Sequence, residues 1–339
     1  MKKIGRFLVS SSLLIALLAM IAPSAWSAKK LSGTATATLL VTGLQGTIGS
    51  TVGPDGALYV PEGAVGKITR VDPQTGELTV FASGLPKTIP TIGIGGAIDV
   101  AFIGKTAYVL VTLVSPDVGG TAVDGIYRMD TPDSFTVVAD IGTFNLDNPP
   151  TIPFPFFIGT GVSYALQTYR GGFLVTDGHL NRVLRVGLDG AINVLISFDD
   201  VVPTGLAVAG NTIYMAEAGP VPHLAQNGKV VKFGPKSTSA TEVASGASLV
   251  VDVKFGRGRS LYALSQGPGV PGAPPGSPAQ PNSGSFVKVN GDGTFTVIVD
   301  ELNLPTSLDF IKNTAYVVTL TGEIWKIDGF AAPPFGRSH

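Results

Sequence analysis

Six copies of one short pattern constrain this chain more than any other feature. Each copy ends in a basic residue followed by an apolar one: Arg70-Val71, Arg128-Met129, Arg185-Val186, Lys232-Phe233, Lys288-Val289 and Lys326-Ile327. Ahead of each lies an aromatic run, centred on Tyr59, Tyr108, Tyr214, Tyr262 and Tyr316, with Phe173 filling the gap between the second and third. Turn formers open these runs, as in Pro54-Asp55-Gly56, Gly171-Gly172 and Lys312-Asn313. Chance does not place six such pairs in register, so the chain is read as a repeat.

Two more series complete the unit. β-Branched runs such as Leu78-Thr79-Val80-Phe81 and Phe295-Thr296-Val297-Ile298 follow the basic residues, bounded by Gly or Asp turns. Further strands precede the aromatic runs, among them Ile98-Asp99-Val100, Leu206-Ala207-Val208, Val251-Asp252-Val253 and Leu308-Asp309-Phe310. Each unit is therefore four strands, A to D. Tyr59 to Tyr316 spans 257 residues in five steps, a period of about 51. Four short antiparallel strands per repeat describe a blade, and six of them an all-β, six-bladed β-propeller. The composition agrees: 44 Gly and 25 Pro supply turns, and 44% hydrophobic residues supply a core. Zero Cys excludes a disulfide scaffold or a Cys-ligated metal.

The sixth unit has no D strand, because the chain runs into Ala331-Ala332-Pro333 after Lys326. Residues 34–44 read as a D strand with no A, B or C before it. The two orphans fit together, so residues 34–44 are expected to be the outer strand of blade six and to close the ring. The blades are expected at roughly 45–85, 88–144, 161–201, 202–248, 249–302 and 303–333, with a tail at 334–339.

Residues 1–27 read as a signal peptide: Lys2, Lys3 and Arg6, then an apolar stretch from Phe7 to Ala22, then Ala25-Trp26-Ser27 before a cut at Ala28. The expectation is an exported protein, periplasmic or extracellular, with no membrane association after cleavage. Removing that segment leaves 20 Lys+Arg against 24 Asp+Glu. This is not the basic footprint of a nucleic-acid binder. A monomer is expected, its partner an unidentified small molecule or protein.

Strand parity sorts the connections. A–B and C–D turns share one face of the ring; B–C loops and D–A links share the other. The long insertions, 112–125, 144–160, 217–228 and 266–285, all fall on the second face, where a rigid scaffold presents binding loops. Residues 144–160 hold Phe144, Phe154, Phe156 and Phe157, the last three expected as an apolar rim. Residues 266–285 are Pro-rich, a stiff or mobile extended loop.

Acids recur at two repeat positions. Strand B ends in Glu62, Asp177 and Glu217 at the insertion-bearing face; strand A carries Asp99, Asp252 and Asp309, read as one register beside the channel. Carboxylates at a channel mouth suit a hard cation such as Ca²⁺. The alternative is structural: pairing with the basic residue of strand C, or bonding turn amides. His179 and His223 lie near the same face as loop residues or bases. No cofactor beyond such a cation is expected, and no nucleophile or metalloprotease motif is present.

The units Thr42-Gly43-Leu44 to Leu85 and Pro203 to Val230 resemble NHL-type propeller repeats, and more closely the ScyD/ScyE family of exported bacterial proteins. The resemblance covers roughly residues 34–330. It implies a six-bladed secreted propeller acting in binding or as a scaffold. Related gluconolactonase-like and strictosidine-synthase-like propellers imply an alternative, a divalent-cation-dependent hydrolase or lactonase. Their Glu, Asn and Asp set has no residue-by-residue match here, so the sequence leans away from an enzyme.

Overall fold

The structure, a computed structural model, describes residues 35–150, 158–274 and 276–330. Residues 1–27, expected as a signal peptide, Phe154, Phe156, Phe157 and the tail lie outside the described residues.

The chain opens with β1 (Thr36–Val41). Blade 1 holds β2 (Thr51–Val52), β3 (Leu58–Glu62), β4 (Lys67–Val71) and β5 (Leu78–Ala82). Blade 2 holds β6 (Gly96–Ile103), β7 (Thr106–Thr112), β8 (Gly125–Thr131) and β9 (Ser134–Asp140), and α1 (Ile141–Asp147) follows it. Blade 3 holds β10 (Ser163–Tyr169), β11 (Gly172–Asp177), β12 (Arg182–Val186) and β13 (Ile192–Ser197). Blade 4 holds β14 (Pro203–Ala209), β15 (Thr212–Glu217), β16 (Lys229–Phe233) and β17 (Thr241–Ser245). Blade 5 holds β18 (Val250–Phe255), β19 (Leu261–Ser265), β20 (Gly284–Val289) and β21 (Phe295–Leu302). Blade 6 holds β22 (Pro305–Ile311), β23 (Thr314–Thr319) and β24 (Ile324–Asp328).

All six sheets are four-stranded and antiparallel, and blade 6 takes β1 as its outer strand. Thr36 faces Asp328 and Leu39 faces Trp325 across that pair. Further bonds tie blade 6 to blade 1, among them Leu44 N to the Gly322 carbonyl at 3.1 Å, Thr47 Oγ1 to the Thr319 carbonyl at 2.6 Å, and Tyr316 Oη to the Pro73 carbonyl at 2.9 Å.

The core is not one mass but six, each between neighbouring blades. Tyr59 and Ile68 of blade 1 meet Val100, Val109 and Tyr127 of blade 2. Tyr262 and Phe286 of blade 5 meet Leu308, Val317 and Trp325 of blade 6. Stacked sheets bury both faces, so strand B reads as a continuous apolar run; every residue of β3 and β11 is buried. The basic residues of strand C turn outward and several pair with acids of their own blade, Arg70 Nε with Asp55 at 2.6 Å and Arg128 Nε with Asp130 at 2.8 Å. They do not pair with the strand A acids, so of the structural alternative only the bonding of amides is left. Helix α1 was not anticipated. Asp140 caps it, accepting the Thr143 amide at 2.8 Å.

Candidate functional site

The two ends of the channel differ in construction. The insertion-bearing face carries the four long connections, and residues 83–95, missed in the sequence, add a fifth. These loops are braced. Ser115 Oγ lies 2.7 Å from oxygens of both Asp117 and Asp124, and Asp117 takes the Thr160 hydroxyl at 2.9 Å. Gln266 holds the Pro-rich loop, its Oε1 accepting the Ala279 amide at 3.0 Å. From this bracing project Ile92, Ile94, Leu146, Val221, Leu224 and Val270, between 37% and 55% exposed. The tight-turn face offers one comparable side chain among the described residues, Leu188.

The strand B acids do not converge. Glu62 takes the Gln45 amide and the Thr69 hydroxyl and pairs with Lys67 at 3.2 Å. Asp177, fully buried, collects the amides of Val162, His179 and Leu180 on one oxygen and Asn145 Nδ2 on the other. Glu217 lies opposite Lys229, and burial pushes its carboxyl up to about 7 against the pull of that lysine. His179 Nε2 accepts the Ile158 amide at 2.8 Å, and burial lowers its pKa. His223 Nδ1 lies 2.6 Å from the Gly219 carbonyl. Among the described residues no three His, Asp or Glu are gathered to hold a metal ion.

Strand A behaves differently. Asp99 lies opposite Leu110 and Asp252 opposite Leu264, each two residues past its blade's repeat tyrosine. Asp309 lies opposite Tyr316 itself, two residues nearer the tight turns. The single register expected for these three is therefore two registers. Asp99 and Asp252 sit at ladder irregularities, where each binds its own following amide at 2.8 Å. The second oxygen reaches the next blade: Asp99 takes the Leu166 amide at 2.7 Å and Asp252 the Leu308 amide at 2.8 Å. From the preceding blade a glycine lies against each, and a Cβ at Gly49 or Gly205 would come within 2.3 or 2.2 Å of a carboxylate oxygen. This brace spans blades 1–3 and again blades 4–6.

Lys254, which sequence reasoning missed, stands two residues after Asp252 on the same side of β18. It donates to the Leu206 carbonyl at 3.3 Å and pairs with Asp252 at 3.4 Å. Burial works against its charge, but Asp252, Asp309 and Asp99 together raise its pKa, so it is an ammonium. Burial in turn pushes Asp99 and Asp309 up to about 7 and raises Asp252. Tyr164 crosses the channel from blade 3 to the opposite blade 6, donating to the Thr306 carbonyl at 3.3 Å. On the tight-turn side of that bar lies a pocket of about 230 Å³ lined by Asp99, Asp309, Lys254, Ser50, Gln167 and Phe102 among others.

No family model and no curated protein sequence matches the chain. Among solved structures it is similar to the PQQ-bound aldose sugar dehydrogenase from Streptomyces coelicolor, with TM-score 0.59 and 14% identity over 88% of this chain and 99% of that one. It is similar to a gluconolactonase from Xanthomonas campestris, with TM-score 0.55 and 13% identity over 87% and 89%. Virginiamycin B lyase from Staphylococcus aureus gives 0.51 and 13% over 88% and 99%. What is shared is the six-bladed propeller. No helix among the described residues is long and apolar enough to cross a membrane.

Proposed function

We propose that the mature chain is an exported monomeric propeller, periplasmic or extracellular, of the kind the ScyD/ScyE resemblance implies. It docks a protein partner on its insertion-bearing face. One observation carries this: exposed aliphatic side chains from four of the five long connections stand on that face, against Leu188 in the turns of the other, on backbone already held by hydrogen bonds. A braced apolar surface loses little freedom on binding. A photo-crosslinking residue at Leu224 or Leu146 should give discrete protein adducts in the producing cell or its medium, and one at Lys105 on the other face should give none. Equal labelling from both faces overturns the reading.

The alternative is a hydrolase or lactonase of the gluconolactonase-like or strictosidine-synthase-like type, cation-dependent in its Ca²⁺ form. Asp309 favours it, since a pocket-lining carboxyl near 7 with one oxygen to spare suits general acid–base work. Lactone turnover lost in Asp309→Asn, together with a stoichiometric divalent cation in the purified protein, would support it. A chelator-insensitive, inactive protein would retire it.

A further inference from the structure

The tight-turn end of the channel carries groups that partner docking leaves unused. The pocket lies on the tight-turn side of Tyr164, and its roughly 230 Å³ is room for about seven waters at their liquid volume. Two of its groups have bonding capacity to spare. Asp309 is 7% exposed. Its Oδ2 takes the Ser50 hydroxyl at 2.7 Å, and its Oδ1 accepts no hydrogen bond from a described residue. Lys254 spends its ammonium on Leu206 and Asp252, which leaves a third N–H.

Charge then selects the ligand. An anion entering here meets Asp99 and Asp309. A cation meets the Lys254 ammonium. A neutral molecule with neighbouring hydroxyls suits both, donating to Asp309 Oδ1 and accepting from Lys254 Nζ, while Phe102 offers an apolar wall to its C–H groups. We propose that this pocket is a separate binding site for a neutral polyhydroxylated molecule no larger than a monosaccharide.

The test is calorimetric titration of the mature protein with D-glucose, myo-inositol and glycerol. Ethanolamine serves as the cationic probe and gluconate as the anionic one. At least one neutral polyol should bind, and the charged probes should bind at least tenfold more weakly. Asp309→Asn turns the free acceptor into a donor and should weaken polyol binding at least tenfold with the circular dichroism unchanged. Thr51→Val removes a hydroxyl from the pocket wall and should cost twofold to fivefold, which covers the case in which Asp309→Asn fails to fold. Preference for either charged probe, binding unaffected in both variants, or no polyol binding overturns the proposal. The crosslinking result on the opposite face is independent of all three.

Discussion

Blades 1–3 and blades 4–6 carry the same brace and diverge two residues beyond it. Gly49, Asp99 and the Leu166 amide in the first half match Gly205, Asp252 and the Leu308 amide in the second. Past Asp99 stands Ala101; past Asp252 stands Lys254. Blade 6 then adds Asp309, where blade 3 offers Gln167, opposite Leu174 as Asp309 is opposite Tyr316. The feature found in both halves holds inner strands together. The feature found in one half makes a charged pocket. In a repeat protein, then, recurrence of an acid is a reason to read it as architecture, and departure from the repeat is where a ligand is to be sought.

The largest test of this contrast is loss of the aspartates. Asp99→Ala leaves the buried Leu166 amide unpartnered and should cost about 2–3 kcal/mol in denaturant unfolding. Asp252→Ala does the same to Leu308 and also strips Lys254 of its nearest carboxylate, so about 3–5 kcal/mol is expected. Equal costs would mean that Lys254 does not distinguish the halves. Next come Gly49→Ala and Gly205→Ala, each forcing a Cβ against a carboxylate oxygen. Each should destabilise by about 1–3 kcal/mol, and similarly, because the brace is the same. A neutral result for one alone breaks the match.

A further test lies in the pH dependence. Asp99, Asp309 and Glu217 titrate near 7 when folded and near 4 when unfolded. Between those values the folded chain binds more protons than the unfolded one, so stability falls as pH rises through that window. The melting temperature should drop by roughly 10 °C from pH 5 to pH 8. Asp309→Asn should flatten that slope in part, since Asp252 and Asp124 are raised by burial as well. A melting temperature that climbs over this range would show that these carboxyls are not held protonated.

The propeller and its closure were legible because they rest on patterns repeated six times, and the pairing of residues 34–44 followed from two incomplete units. The site was legible only in part. Asp99, Asp252 and Asp309 were aligned by residue type, whereas the ladder aligns them by partner, and a two-residue offset is invisible without it. Lys254 could have been found, since Asp252, Val253 and Lys254 alternate along a strand and the outer two share a side. Strands β2 and β10 carry no aspartate in that position, so the inner wall that supplies Ser50 and Tyr164 left no mark in the repeat. Asp140 and Thr143 did offer a cap signal for α1, obscured by the strand that runs directly into it.

The seam between β1 and β24 has a kinetic consequence. The first strand must wait for a mate about 283 residues away, Val41 to Ile324. At ordinary elongation rates that is roughly 15–60 s. Throughout synthesis the unfinished wheel stays unlatched, with the blade-1 wall that Tyr316 and Ile324 will cover left bare. A chain halted before its last blade has no way to shut, which makes the final strand the checkpoint between a growing polypeptide and a finished protein.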